Sequence, residues 1–399
     1  MSELNRQKYQ SPTQNEEIDI SSYNQEDAQF GKLEDLSQID DKERNQLLMA
    51  GVDVSEQNRS GTFLQMDHSN VHCKTCKSGV EVLDIQQALQ TYDGLKDYYW
   101  QAVDPDKDQY TKAVAEKLHG GYFIRTEKGA KVTEPVQSCL FIKGENVGQN
   151  VHNIIVVEEN SELHIITGCA VSHDVKAALH LGVSEIYVKK GAKLSFTMVH
   201  NWGQDVNVRP RTVGFVEEDG IFLNNYILLK PVKSAQLYPT LYLNGRGAVA
   251  RSNSVIATPP GSYVNSGSRV VLNAPDTRAE IVARTITTGG TIINPGHIVG
   301  NSVPAKGHLE CKGLILKDGI IHAIPELEAT EAGVELSHEA AVGKVAQEEI
   351  EYLMARGLDE DEATATIVRG FLNVDIMGLP QELKDSIDKT IQEAGEEMF

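Results

Sequence analysis

The spacing of apolar and polar positions changes twice along the 399-residue chain. Residues 1–130 are mostly polar, and apolar positions recur at helical spacing only in 33–49 and 82–100. Residues 131–325 form short alternating runs rich in Val, Ile, Thr and Tyr, separated by the Gly, Asn and Pro of turns. Residues 326–399 return to helical spacing. This pattern predicts a polar, partly helical N-terminal region, a β core and a C-terminal helical domain.

The β region contains an internal repeat. The run from Val157 to Ile165 is matched 31 residues later by the run from Val188 to Phe196, and looser versions begin at Leu243 and Leu272. Repeats of this length bury their inward faces only by stacking on the next repeat, which favours a parallel β-helix. Periodicity alone does not exclude an antiparallel sandwich, which has strands at intervals of about 8 to 12 residues. The predicted fold class is mainly β with helical ends.

The last region has the pattern of a helical hairpin. One apolar face is predicted for a first helix that ends near Gly357, and Asp359 with Glu362 has the spacing of a capping box for a second helix. A third helix is expected to open at Leu379-Pro380. The face of the first helix consists of Val342, Val345, Ala346, Ile350, Leu353 and Met354. Because the first connection is short, these two helices should pack together and form a docking element.

The net charge and the absence of targeting signals in the sequence exclude several classes of protein. The formal net charge of −20 argues against nucleic-acid binding, which needs clustered Lys and Arg. The chain has no run of 18 apolar residues and no basic start followed by an apolar stretch, so we expect a cytoplasmic protein without a membrane segment. Its five cysteines are too few and too unevenly spaced for a disulfide scaffold. Reduced thiols would then be available for metal ions.

The strongest candidate chemistry lies near the end of the β region. Cys311 is followed 27 and 28 residues later by His338 and Glu339, about one coil away. A lone cysteine is usually a small buried hydrophobe, and these three ligands are unusual for an iron–sulfur cluster, which normally takes four thiolates. Two copies in a symmetric dimer would supply two of each ligand. Harder ligands also hold iron less firmly, so we expect a transient iron–sulfur cluster with Cys311, His338 and Glu339 as its candidate ligands. A 4Fe-4S cluster is favoured, a two-iron cluster stays open, and so does the choice between His338 and Glu339 as the iron ligand.

A second group of metal-ligand types lies in the N-terminal region. His68, His72, Cys73 and Cys76 read His-x3-His-Cys-x2-Cys. The cysteine pair has the spacing of a zinc finger, but histidines close by replace the usual second half of such a site. A pair of ordinary thiols is the favoured interpretation, and a zinc site at these residues stays open as the alternative. His308, three residues before Cys311, is the one histidine of the β region that its position singles out.

Enzymatic functions find little support. The nucleotide-binding pattern G-x4-G-K-[ST] is absent, so energy from ATP would have to come from a partner. A polysaccharide-active β-helix would need paired carboxylates, for which Asp205, Asp276 and Glu280 are weak candidates, and aromatic residues are only 6% of the chain. The sequence predicts a protein that holds its ligand and has no catalytic residues.

Five segments carry a family resemblance, which covers roughly residues 135–380. They are Thr167-Gly168-Cys169-Ala170, the block from Val183 to Trp202, Cys311 with its following apolar run, Ser337-His338-Glu339-Ala340-Ala341, and Arg356 to Phe371. In these segments the chain resembles the SufB/SufD family of iron–sulfur cluster assembly scaffolds, and most closely the compact archaeal-type members that pair with one ATPase.

The resemblance implies a right-handed parallel β-helix and a C-terminal helical domain that docks on a SufC-type ABC ATPase, the subunit that hydrolyses ATP. It also implies that Cys311 is the cluster-ligating cysteine, Glu339 the glutamate of SufB, and His338 the histidine of SufD. One chain carrying both ligand types is expected to form a homodimer and to pass its cluster to apo iron–sulfur proteins.

The resemblance has one departure. Where SufB has a sulfur-accepting cysteine after a Tyr-Pro pair, this chain reads Tyr238-Pro239-Thr240-Leu241, and leucine cannot carry a persulfide. Sulfide is therefore expected to arrive by another route. A structural adaptor of the ATPase, without a cluster of its own, is the rival function.

Overall fold

The computed structural model describes residues 17–26 and 29–372. The helix expected at Leu379-Pro380 lies outside these residues. The described helices are α1 (Asp41–Met49), α2 (Ile85–Thr91), α3 (Gln109–Glu116), α4 (Gln347–Met354) and α5 (Glu360–Leu372), with 3-10 turns at Ile20–Ser22, Leu36–Gln38 and Asp93–Asp97.

Strands make up most of the described chain. They are β1 (Gly61–Met66), β2 (Ser69–Thr75), β3 (Val80–Asp84), β4 (Tyr122–Thr126), β5 (Val136–Ile142), β6 (Val147–Val157), β7 (Glu162–Val171), β8 (Ala177–Val188), β9 (Lys193–Asn201), β10 (Asp205–Val208), β11 (Arg211–Val216), β12 (Ile221–Leu228), β13 (Ser234–Leu237), β14 (Thr240–Leu243), β15 (Val249–Thr258), β16 (Tyr263–Ser266), β17 (Ser268–Leu272), β18 (Thr277–Thr287), β19 (Thr291–Gly300), β20 (Ala305–Ile315), β21 (Ile320–Ala329) and β22 (Val334–Gly343).

The strands form two facing sheets of a parallel β-helix. The first sheet has the order β2-β1-β5-β7-β9-β12-β15-β18-β20-β22, and the second, twelve-stranded sheet includes β6, β8, β11, β14, β17, β19 and β21. Among the described strands, only β1 with β2 and β3 with β4 pair antiparallel. Each coil lies directly on the next, as in the parallel pairing of Val157 with Val188. The β-helix prediction is therefore confirmed, and the antiparallel sandwich is excluded.

Alternation along each strand builds the core. In β12, Phe222 and Tyr226 point into the coil and join one continuous core, whereas Leu223 between them is exposed. Tight turns connect the strands, and one of them requires glycine at position 191. Gly191 has φ +65°, and a Cβ there would lie 2.5 Å from Oδ1 of Asn160, which occupies the equivalent turn one coil earlier.

The N-terminal region extends the coil stack more than its sequence pattern suggests. The helix predicted at 33–49 is shorter, since α1 begins at Asp41, and its N-cap Asp40 accepts hydrogen bonds from the backbone of residues 42 and 43. The helix predicted at 82–100 is divided into the end of β3, the short α2 and a 3-10 turn. Strand β1 pairs in parallel with β5, so residues of this region form part of the first sheet.

The expectation of helical structure directly after Pro325 is wrong for residues 326–343. Residue 325 lies inside β21, which is followed by β22, and the first helix of the region begins only at Gln347. Val342, expected on a helix face, is thus a strand residue. Parallel pairing of β22 with β20 satisfies the backbone of this segment, and short apolar runs do not distinguish strand from helix by periodicity alone.

The helical hairpin beyond β22 agrees with its prediction. Helices α4 and α5 pack against each other, and Gly357 between them has φ +101°. Asp359 and Glu362 form the reciprocal capping bonds, with the backbone N of Glu362 at 2.8 Å from Asp359 Oδ1 and the backbone N of Asp359 at 3.1 Å from Glu362 Oε2. In the described part of the chain no helix combines the length and apolar character needed to span a bilayer.

Candidate metal centre

Cys311 lies in β20, the next-to-last strand of the first sheet. Its neighbours in register are Ala283 on β18 and Ala340 on β22, and its side chain faces the coil interior together with Leu309. The residue is 2% exposed. Burial raises the pKa of the thiol to about 11, with a smaller contribution in the same direction from the charge of Glu310. At neutral pH the thiol therefore keeps its proton unless a metal ion displaces it.

His338 shares this inward face. It lies opposite Leu309 in the pairing of β20 with β22. Leu336, two residues earlier on the same strand, packs against the core. Because side chains alternate along a strand, His338 points to the same side as Leu336, Leu309 and Cys311. His338 itself is exposed, since β22 is the outermost strand of its sheet.

Glu339 faces the other way. It pairs with Glu310, and both side chains lie on the outer face of the sheet. Its carboxylate lies 3.2 Å from the ammonium of Lys312, and its side chain is 58% exposed. Within one protomer, the structure therefore places Cys311 and His338 on one face of the sheet and Glu339 on the opposite face.

The outer face carries a different group of metal-ligand types. His308, Glu310 and Glu339 each offer one ligand atom, and these three atoms lie within 4.8 Å of one another. No other group of three or more His, Cys, Asp or Glu side chains is this compact in the described residues. The sequence pattern singles out His308 but not Glu310. The signal that could have found Glu310 is strand alternation, which puts residues 308 and 310 on one face, combined with a coil length of 29 residues that brings Glu339 opposite.

Two cations balance the charge of Glu310. Arg284 on β18 forms an ion pair with its carboxylate, and the ammonium of Lys312 lies 3.0 Å from the same oxygen. Burial opposes ionisation of this carboxyl group, but hydrogen bonds from Lys312 and Arg284 outweigh it, so the pKa of Glu310 lies below its ordinary value. Lys312 also reaches Glu339, and bonds to the two carboxylates raise the pKa of Lys312.

The N-terminal histidines are bonded elsewhere. His68 Nε2 lies 2.9 Å from the carbonyl oxygen of Gly148. Both ring nitrogens of His72 have partners, since Nδ1 lies 3.1 Å from the carbonyl oxygen of Leu33 and Nε2 lies 3.1 Å from a carboxylate oxygen of Glu56. These contacts direct the two imidazoles to different surroundings.

The N-terminal cysteines do not join them. Cys73 follows His72 on β2, so the two side chains point to opposite faces. The thiol of Cys73 donates a hydrogen bond of 3.4 Å to the carbonyl oxygen of Val82, and burial raises its pKa to about 11. Burial also raises the pKa of the Cys76 thiol. The structure thus does not bring His68, His72, Cys73 and Cys76 together as a metal site.

The remaining candidates from the sequence are also separate. Asp276 and Glu280 each pair with an arginine, at 2.7 Å from Arg246 and 3.2 Å from Arg251 respectively. These are surface ion pairs, which is the ordinary role of charged residues on a coil face.

Leu241 and Cys169 are both core residues. Leu241 is fully buried in β14, and burial raises the pKa of Cys169 on β7 well above its ordinary range.

The coil interior also contains a cavity of about 40 Å³, lined in part by Asn224, Tyr226 and Ala283. Ala283 is the register neighbour of Cys311, so this small cavity ends one coil from that thiol.

The helical hairpin contacts the same outer face as Glu310. Val368 and Leu372 of α5 pack against Val255 of β15 and Ile286 of β18. The ring of Phe371 lies 5.9 Å from the guanidinium carbon of Arg284, within cation–π range. Arg284 therefore links α5 to the carboxylate of Glu310.

The end of the coil stack is an exposed edge. Strand β22 is the last strand of the first sheet, and within the described residues β21 pairs with β19 alone. Large apolar side chains are exposed here, including Ile320 at 59% and Val342 at 42%. Unpaired edge strands with exposed apolar side chains favour association with another chain.

Comparison with known proteins identifies related chains. A family model described as "SUF system FeS cluster assembly, SufBD core domain" matches residues 140–371. An "Iron-sulfur cluster assembly SufBD family protein" of Archaeoglobus fulgidus is 51% identical over 360 residues, which cover 90% of this chain and 96% of the relative. A protein of the same description from Methanothermobacter thermautotrophicus is 48% identical over 378 residues, 92% of each chain.

A more distant relative has a more specific name. The "Iron-sulfur cluster assembly protein SufB" of Bacillus subtilis is 30% identical over 370 residues, which cover 90% of this chain and 78% of the relative. The similarity therefore spans both the coil stack and the segment with Cys311, His338 and Glu339.

Proposed function

This chain belongs to the SufBD family of SUF-system iron–sulfur cluster assembly proteins, and from that premise we propose that it is a scaffold on which nascent clusters are built and from which they are transferred to apo iron–sulfur proteins. The observation that carries the proposal is the placement of Cys311 and His338 on one inward face at the exposed end of the coil stack. The imidazole of His338 is exposed to a second subunit, and the thiol of Cys311 lies buried beside it on the same face.

Two copies of the chain would complete the ligand set. An edge formed by β21 and β22, with exposed Ile320 and Val342, is a surface that a homodimer would cover. Joined there, two protomers contribute two thiolates and two imidazoles, which equals the four protein ligands of a 4Fe-4S cluster. In this arrangement His338 ligates the cluster together with Cys311, and Glu339 binds iron on the outer face of the sheet.

The buried thiol suits a site that opens only during loading. With a pKa of about 11, Cys311 is protonated and shielded while the end strands are closed. Access to solvent lowers the cost of the thiolate, and iron then displaces the proton. Imidazole ligands hold the sulfide-bridged iron less firmly than thiolates do, so the finished cluster can leave.

We propose that a SufC-type ATPase drives the opening of the end strands during loading. The hairpin of α4 and α5 exposes Tyr352 and Met354, two large side chains suited to a docking contact. Its inner side packs on the sheet through Val368, and Phe371 contacts Arg284. Approach of two docked ATPase subunits on binding ATP would pull on the last coils through these contacts, and hydrolysis occurs in the partner.

Anaerobic reconstitution tests the scaffold role. The full-length protein is incubated with ferrous iron and sulfide, and the product is followed by visible absorbance, iron and sulfide content, and Mössbauer spectra. We expect the wild type to become coloured, and Cys311→Ser to stay colourless while light scattering still reports a dimer. Cys76→Ser is the matched control and should load normally. Normal loading of Cys311→Ser, or a colourless wild type, would instead favour the adaptor without a cluster.

A further inference from the structure

The outer-face group of His308, Glu310 and Glu339 is separate from the thiol side of the sheet. His308 and Glu310 are two residues apart on β20, and Glu339 lies opposite Glu310 on β22. We propose that these three side chains bind one divalent metal ion, which in the working protein is ferrous iron awaiting incorporation. The identity of the ion as iron rests on the proposed scaffold function, whereas the existence of the site does not.

The donor set fits a divalent ion in charge and type. One neutral imidazole and two carboxylates carry a charge of −2 and suit Fe2+, Mn2+ or Zn2+ better than soft Cu+. The ligand atoms are already within 4.8 Å of one another, so binding needs only small side-chain movements. Three protein ligands also leave coordination positions for water, as expected for an ion that must later be released.

A hydroxyl group orients the histidine. Ser337 is the register neighbour of His308, and its Oγ lies 2.9 Å from Nδ1 of the imidazole. When Nδ1 carries the proton and donates it to this hydroxyl, the lone pair of Nε2 is left for a metal ion. Hydrogen bonds of this kind commonly fix the tautomer and ring orientation of metal-binding histidines.

Lys312 already places a positive charge between the carboxylates. Its ammonium lies 3.0 Å from Glu310 and 3.2 Å from Glu339. A divalent ion would displace this ammonium, whose long side chain can move into solvent, while Arg284 keeps its contact with Glu310. The lysine is thus a built-in competitor, so the ion is held reversibly.

The position of the group suits delivery of iron. Glu310 directly precedes Cys311, so an ion at the outer face is separated from the thiol by the thickness of the sheet. Because β22 is the edge strand, an ion released from Glu339 needs to pass only that strand to reach His338 on the other side. The transfer involves no electron, and the proton of the Cys311 thiol leaves when iron binds.

Manganese binding tests the site directly. Full-length protein with Cys311→Ser removes the thiol ligand, and Mn2+ is a probe that prefers oxygen and nitrogen donors and is visible by EPR. We expect one saturable Mn2+ per chain, with ¹⁴N coupling from an imidazole. His308→Ala should abolish this coupling, and both His308→Ala and Glu339→Gln should weaken binding by about tenfold or more. Lys312→Met should strengthen it.

Two matched variants serve as controls. Glu335→Gln removes an outward carboxylate from the same strand as Glu339, and His322→Ala removes an exposed histidine of β21; neither should change Mn2+ binding. Equal weakening by Glu335→Gln and Glu339→Gln would overturn the proposal. The proposal would also be overturned if Lys312→Met bound no Mn2+. This variant is informative because a gain of Mn2+ binding, unlike a loss, cannot result from misfolding.

The site and the scaffold role fail separately. If the wild type loads a cluster but His308→Ala leaves Mn2+ binding unchanged, the scaffold role stands and the outer site is refuted. If Mn2+ binds as described but no cluster ever forms on the wild type, the outer site stands and the scaffold role is refuted.

Discussion

Glu310 and Glu339 lie directly opposite each other on the adjacent parallel strands β20 and β22, with the ammonium of Lys312 in contact with both. Like charges at directly opposed positions of a sheet destabilise it. The last coil is therefore held in register partly by a cation that lies between two carboxylates, at the edge where we propose that a second copy of the chain binds.

Removal of this cation should weaken the end of the stack. Lys312→Met leaves the two carboxylates opposed, and we expect the free energy of unfolding to fall by about 1 kcal/mol or less. Thermal unfolding in the presence of a chelator measures the loss. Added Mn2+ should restore the stability of this variant, because the ion replaces the missing charge. Lys306→Met, which removes the surface pair with Glu335, is the control and should show no rescue by Mn2+.

The reactivity of Cys311 should report its burial. With a pKa of about 11, the thiol should react with iodoacetamide far more slowly near pH 8 than a small-molecule thiol does, and faster as the pH approaches 11. Peptide mapping by mass spectrometry follows the modification. A raised folded pKa also means that the neutral thiol contributes stability below pH 9 that is lost as the pH rises toward 11. Rapid alkylation at neutral pH would contradict the buried position.

The contact between α5 and the sheet should be separable from the coil stack. Val368→Asp places a charge against Val255 and Ile286, and we expect the hairpin to detach while the β-helix stays folded. Hydrogen exchange should increase in residues 347–372 and remain slow in β15 and β18. Thr366→Asp on the exposed side of the same helix is the matched control. Loss of co-purification with the SufC-type ATPase in Val368→Asp alone would support the proposed docking.

Replacement of the imidazole by a second thiol should slow release of the cluster. His338→Cys would offer four thiolates in a dimer, and thiolates hold iron–sulfur clusters more firmly than imidazoles do. We expect the loaded variant to transfer its cluster to an apo-ferredoxin more slowly than the wild type, as followed by circular dichroism. Glu335→Cys adds a thiol on the outer face and should transfer at the normal rate. Unchanged transfer by His338→Cys would argue that His338 is not a ligand.

The repeat and the helix cap, which depend on residues at short and regular spacing, could be predicted from the sequence. The 31-residue spacing between Val157 and Val188 indicates stacked coils because each repeat has an apolar face that only a neighbour can bury. The capping box of Asp359 and Glu362 likewise depends on residues three apart, and the structure has it. The helix expected directly after Pro325 was wrong, since apolar positions at short range fit a strand equally well when a neighbouring strand accepts the hydrogen bonds.

The sequence alone determined the coil stack, the helical hairpin, and Cys311, His338 and Glu339 as ligand candidates. Only the tertiary structure decided which of these side chains share a face. Side chains alternate with a period of two, so a shift of one residue in register moves each one to the opposite face. The register differs between coils, from 28 residues at Ile221 and Val249 to 29 at Cys311 and Ala340, because turn lengths differ. That odd offset places Glu339 beside Glu310 and His338 beside Leu309.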